Sequence, residues 1–184
     1  MAINSPMPVY YALVFLLFLG GCYVSSFGPL IPHLSELSGN DETYYSYLFF
    51  LRSIANIFGG FLIKILIKRF ELKYIVYFNL IVICLSLISS SLSISTLNLS
   101  VTLFIASLHI LSTGVIIFSL TFKLFANHHP EYYLQMLGFV FGIGAMSGPF
   151  LVMIFSMNTL SIIGILHLLA IPIFVKYKLP ILNE

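Results

Sequence analysis

Arg52 is the residue of this chain best placed to do chemistry, because almost nothing around it is polar. It lies inside the apolar run Tyr44–Ile67, between Leu51 and Ser53. Counted from the start of that run it is about eight residues in, roughly 12 Å along a helix at 1.5 Å per residue. A guanidinium stays charged in proteins, and at membrane depth it has to face a bundle interior, a water path or a partner. Ala55, Asn56, Gly59 and Gly60 follow at i+3, i+4, i+7 and i+8, so they share its helical face. Two readings follow. Arg52 and Asn56 contact a substrate or coupling ion, or Arg52 makes a structural pair with Glu36, Gln135 or a helix carbonyl. The expectation is that Arg52 reaches a carboxylate, a carbonyl or a lipid headgroup and does not line an open cavity.

The remaining candidates for a substrate site or a polar intramembrane contact are Asn56, Gln135, His109, Ser112 and Thr113. His109, Ser112 and Thr113 form a stripe on one helix face, and His167 stands alone in a later apolar run. A buried imidazole bonded to a hydroxyl or carbonyl accounts for both as well as a proton relay would. His128 and His129 precede Pro130 in a polar gap, and two adjacent loop histidines with no Cys make a poor metal site. Cys22 and Cys84 both lie in apolar runs and read as small buried hydrophobes rather than a disulfide or metal site. No metal or cofactor is expected.

Small residues form a second pattern. Gln135, Gly138, Gly142, Ala145 and Pro149 fall at i, i+3, i+7, i+10 and i+14, one face of a helix. Gly144 and Gly148 add a small-xxx-small pair, and Gly21, Ser25 and Gly28 give the first run a matching face. In lipid such faces let two backbones approach and pack by dispersion. Gly59, Gly60, Gly138, Gly142, Gly144, Gly148 and Pro149 are therefore expected at helix contacts, with Gly148–Pro149 interrupting the fifth helix.

These residues are carried by six apolar runs, at about 9–31, 44–67, 74–92, 99–122, 132–155 and 160–175, in one domain spanning residues 1–184. Each is about long enough to cross a ~30 Å hydrocarbon core as a helix. The chain is 60% hydrophobic and 8% charged, against roughly 25% charged in soluble domains. Barrel strands would be half as long and would alternate. Lys64, Lys68, Arg69, Lys73, Lys123, Lys176 and Lys178 fall at gaps and ends on one side, while Glu36, Asp41 and Glu42 fall on the other. By the positive-inside rule both termini are inner, and His33–Thr43 and Ser93–Asn98 are outer connections. Tyr10, Tyr11, Tyr44, Tyr45, Tyr74, Tyr132, Tyr133 and Tyr177 cluster near run ends, where amphipathic rings settle. With no basic n-region before the first run, a retained helix is expected rather than a cleaved signal. Asn98-Leu99-Ser100 matches a glycosylation sequon, but its turn sits tight against the membrane. The basic residues are accounted for as topology signals, with no interleaved aromatic patch for nucleic acid.

Several short strings, in order, carry a resemblance. Phe27-Gly28-Pro29-Leu30 closes the first run. Arg52-Ser53 precedes Gly59-Gly60 in the second. Gln135, then Phe141-Gly142-Ile143-Gly144-Ala145, then Pro149 mark the fifth. Over about residues 9–156 these resemble the major facilitator superfamily, nearest its sodium-dependent glucose transporter type. The resemblance implies an all-α fold of six transmembrane helices, one amino-terminal half of a transporter whose two bundles rock about a central site. Two departures stand against a regular transport cycle. The family's inner loop carries Asp-Arg-x-Gly between helices two and three, where this chain has Lys68-Arg69-Phe70-Glu71-Leu72-Lys73. The family's fourth helix carries Asp-Thr-Gly-x-Asn, where this chain has Ser112-Thr113-Gly114-Val115-Ile116.

No phosphate loop, nucleophile elbow or zinc-helix motif is present in the sequence, and an enzyme is the least supported class. Two functions remain. One is transport of a small polar solute such as a sugar, as a dimer or with a second half. The other is a transport-inactive half serving as a structural subunit of a larger membrane complex. The expected partners are the lipid bilayer and either a second six-helix half, a second copy, or complex subunits.

Overall fold

A computed structural model describes residues 6–92, 95–177 and 179. They form helices α1 (Met7–Ser38), α2 (Glu42–Tyr45), α3 (Tyr47–Arg69), α4 (Leu72–Leu92), α5 (Thr96–Leu124), α6 (Pro130–Phe155), α7 (Asn158–Leu168) and α8 (Ile171–Lys176). With α2 continuing into α3 and α7 into α8, six segments are long and apolar enough to cross a membrane. The chain is a multi-pass membrane protein built as an all-α bundle.

Four boundaries differ from the sequence expectation, each for a local reason. Most of the outer loop expected from His33 is helix, because α1 runs through Pro29 and Pro32 to Ser38. It stops at Gly39, whose φ of 71° only glycine adopts freely and whose N–H donates to the Ser35 carbonyl at 2.9 Å. The outer turn expected over Ser93–Asn98 is shorter, since α5 is helical from Thr96. Ser93 and Ile94 lie outside the described residues. The fifth segment is not interrupted at Gly148–Pro149, and α6 continues to Phe155. The break falls instead in the sixth segment, at Leu169–Ala170. α7 ends at Leu168 and α8 restarts with Pro172 in its first turn, where the missing N–H costs no helical bond.

The connections are short and locally satisfied. Asp41 precedes α2 and accepts a 2.7 Å bond from the Thr43 hydroxyl, which holds its carboxyl below the usual range. Tyr45 is fully buried and its hydroxyl donates to Ser38 Oγ at 2.7 Å, tying α2 to α1. Asn98 donates to the Ser89 carbonyl at 3.3 Å, so the amide of the sequon helps join α5 to α4.

The neighbour map has a simple order. α1 packs chiefly along α6, α3 along α5, and α4 along both α5 and α7. Exchanging the first three segments with the last three maps these pairs onto one another: α1–α6 onto α5–α3, and α4–α7 onto itself. α4–α5 maps onto the slighter α7–α1 contact. Since the fourth segment enters from the side opposite the first, the two triplets are inverted with respect to each other.

The interior is layered. One apolar cluster, including Leu13, Ile63, Val76 and Leu120, fills the end near Arg69 and Lys123. Another, including Phe27, Leu48, Ile83 and Leu103, fills the end near Asp41. Between them, at mid-depth, lie the closest backbone contacts and most of the buried polar groups.

Candidate functional site

The helices touch most closely at four glycines. A Cβ on Gly144 of α6 would fall on the Phe18 carbonyl oxygen of α1, and one on Gly148 on the Cys22 carbonyl and Ser25. A Cβ on Gly21 would meet the Phe141 carbonyl and, at 2.8 Å, the Ala145 nitrogen. Gly59 of α3 meets the Leu108 carbonyl of α5 in the same way. Gly144 on Phe18 and Gly59 on Leu108 are counterparts in the inverted triplets. Ser112 reinforces the second seam, its hydroxyl 2.9 Å from the Gly59 carbonyl and 2.8 Å from that of Leu108. The other glycines expected at contacts lie elsewhere. A Cβ on Gly60, Gly138 or Gly142 would have nothing within 4 Å. Period alone puts Gly138 and Gly142 on one stripe, but the α1 contact follows the Gly144–Gly148 row of α6. Pro149 lies half-buried within α6, beside that row.

Beside these seams a cavity of about 600 Å3 opens between α1, α3, α5 and α6, with His167 of α7 at its back. The polar groups facing it are Tyr23, Arg52, Asn56, Thr113, Ser119 and His167. On α1 its lining runs from Val24 to Leu16, about 12 Å along the helix. Gly114 and Gly138 line it without side chains, which leaves that space open.

Arg52 stands toward the Asp41 end of the cavity. Its Nη1 donates to the Val24 carbonyl at 2.9 Å. The guanidinium carbon lies 4.8 Å from the Phe27 ring centroid and 5.4 Å from that of Phe49, within cation–π range. A helix carbonyl is among the partners expected for it. Glu36 and Gln135 are not its partners, and both are exposed. The expectation that Arg52 stays out of an open cavity does not hold, because their i, i+4 spacing on α3 puts Arg52 and Asn56 together on the face turned toward α1. The Asn56 side chain makes no hydrogen bond among the described residues.

The other polar side chains are mostly engaged. Tyr23 is fully buried, its hydroxyl 2.6 Å from Ser107 Oγ. His167 Nδ1 lies 2.7 Å from the Ile163 carbonyl and donates to it, which leaves Nε2 as an acceptor. His109 does not line the cavity. Its Nδ1 lies 2.8 Å from Asn79 Oδ1, Asn79 Nδ2 donates to Thr113 Oγ1 at 3.3 Å, and Thr113 donates to the His109 carbonyl at 2.9 Å. This closed triad ties α4 to α5 behind the cavity wall. His128 and His129 are exposed, with His129 Nδ1 3.0 Å from Glu131 Oε1. Cys22 and Cys84 are buried free thiols.

Three participants escape a reading of the sequence. Asn79 is a lone amide in an apolar run, the same signal that exposes Arg52. Ser119 and Tyr23 carry no such signal, since hydroxyls are common in membrane helices and only the packing decides which face the cavity.

No protein family matches this chain, and no curated protein or solved structure is significantly similar to it.

Proposed function

We propose that this chain is a half-size transporter unit of the major facilitator kind, which binds a small polar solute in the mid-membrane cavity and moves it with a second six-helix bundle. The single observation that carries the reading is the cavity itself. It is walled by helices of both inverted triplets and holds Arg52 and Asn56 at mid-depth. Substrate sites at a repeat interface near the midplane, in folds built from inverted repeats, are a general feature of secondary transporters. The second bundle, or a second copy of this chain, would lie over α3 and α6, the two segments least covered by the rest of the protein. Both termini lie on the inner side in this reading, with the Lys and Arg residues that flank the helices.

A second reading has its own support. Glu71, the acidic residue of the α3–α4 turn, is exposed and pairs with Lys73 two residues on, at 3.1 Å. It is spent locally rather than reaching across to another helix. A unit whose inner-loop acid contacts no other helix would serve as a packed, transport-inactive subunit of a membrane complex.

Uptake into reconstituted vesicles separates the two. Transport of a polar solute by the parent, lost in Arg52→Gln, supports the transporter. No transport by either, with Arg52→Gln lost from its native complex, supports the subunit.

A further inference from the structure

We infer that the cavity takes a small monocarboxylate with an apolar body, its carboxylate held on the open edge of the Arg52 guanidinium. The inference rests on the proposed solute site and names its ligand class.

Charge is the first ground. The ion pairs among the described residues are Lys73–Glu71 and His129–Glu131, both exposed at the α3–α4 and α5–α6 connections, at one end of the bundle. Glu36, Asp41 and Glu42 sit at the opposite end, and Glu184 lies outside the described residues. Among the described residues no carboxylate stands beside Arg52, and the anion that neutralises it is sought outside them. One fixed positive charge among the cavity-facing groups calls for one negative charge.

Geometry is the second. A guanidinium has five N–H donors, and the Val24 carbonyl accepts from one of its nitrogens. Phe27 and Phe49 pack against it. What remains is an edge of donors fixed in orientation, which matches the paired oxygens of a planar carboxylate. Asn56, one turn further along α3 and with its side chain unbonded among the described residues, adds an amide donor beside it.

The third ground is the rest of the wall. Beyond Arg52 and Asn56 the cavity is bounded largely by Leu16, Leu17, Ile110, Ile117, Phe118 and Phe141. A sugar carries a hydroxyl on nearly every carbon and would leave most of them unpaired against these side chains. A ligand with one charged end and an apolar body satisfies both parts, and about 600 Å3 is within the range of small-ligand sites.

Phenylacetate and its neutral isostere phenylacetamide provide the test, by binding to the full chain in nanodiscs of zwitterionic lipid. Phenylacetate should bind saturably, at least about tenfold more tightly than phenylacetamide, the ratio expected for a charged hydrogen-bonded pair. Arg52→Gln should bring the two to parity, and Arg52→Lys, which keeps the charge but loses the fork, should fall between them. Because the ligand contrast is read on the parent, a failure of Arg52→Gln to fold leaves the test intact. Equal affinities for both ligands would overturn the carboxylate assignment and leave the solute cavity standing. Binding of neither phenylacetate, phenylacetamide nor glucose would overturn both. A third arm adds an anionic phospholipid. If that lipid stabilises the parent but not Arg52→Gln, and displaces phenylacetate or replaces its effect, the anion is a lipid phosphate and the small-solute assignment fails.

Discussion

Gly144 of α6 stands directly against the Phe18 carbonyl of α1, so that the volume a Cβ would need is already filled by backbone oxygen. Phe18 and Gly144 both belong to the mid-depth layer where α1 and α6 run closest. The contact is between two backbones, and neither can swing aside as a side chain would.

The consequence is sharp for neighbouring glycines. Gly144→Leu should separate α1 from α6 and cost more than the ~1–3 kcal/mol usual for overpacking. Gly142→Leu, two residues away and open on its Cβ side, should leave the melting temperature of the isolated bundle unchanged in detergent. Thermal unfolding of the two variants beside the parent measures the contrast. A large loss in Gly142→Leu with none in Gly144→Leu would reverse the helix face assigned to the contact.

The Asn79–His109–Thr113 triad should behave as one unit. Asn79→Ala removes the acceptor of the His109 Nδ1 proton and leaves it unpaired, at about 1–3 kcal/mol. A double-mutant cycle of Asn79→Ala with His109→Phe should return a coupling energy of about 0.6–1.7 kcal/mol, the span seen for polar pairs between membrane helices. Additive losses would mean that the two side chains do not share a hydrogen bond.

How much of this was legible in the sequence varies with the kind of signal. Hydrophobic length sets the six segments, because any helix in lipid has to satisfy its own backbone and span a fixed thickness. The ends were less legible. α1 overruns its apolar stretch because Gly39, not the first polar residue, stops it. Pro149 is absorbed within α6 while the sixth segment restarts with Pro172 in the first turn of α8. Both prolines read alike in sequence, and only their surroundings separate them. Arg52 announced itself through the cost of a buried charge, whereas its carbonyl partner on Val24 could not be read, since every residue has a carbonyl. Gly138, Gly142 and Gly144 look equivalent by composition, and the rotation of α6 against α1 decides which one is in contact.

Topology provides a prediction independent of packing. With native Cys22 and Cys84 buried, single cysteines at Asn40 and Asn183 should be modified by an impermeant maleimide from opposite faces of a sealed vesicle. The warrant is the gathering of flanking Lys and Arg on one side. Labelling of both from the same face would remove the six-span arrangement.

A solvated solute site beside Arg52 and a lipid-filled groove differ in how far water-soluble reagents reach into the cavity. The most direct measurement is the reaction of Ser119→Cys with water-soluble thiosulfonates in reconstituted protein. The control is Leu85→Cys on the outer surface of α4, where Leu85 is 64% exposed in the bundle and would face lipid. With a solvated solute site, Ser119→Cys reacts many times faster than Leu85→Cys. A sulfonate reagent should also outpace an ammonium reagent, and Arg52→Gln should remove that preference. Equal, slow reaction at both positions, with no preference for the anionic reagent, would contradict a solvated solute site.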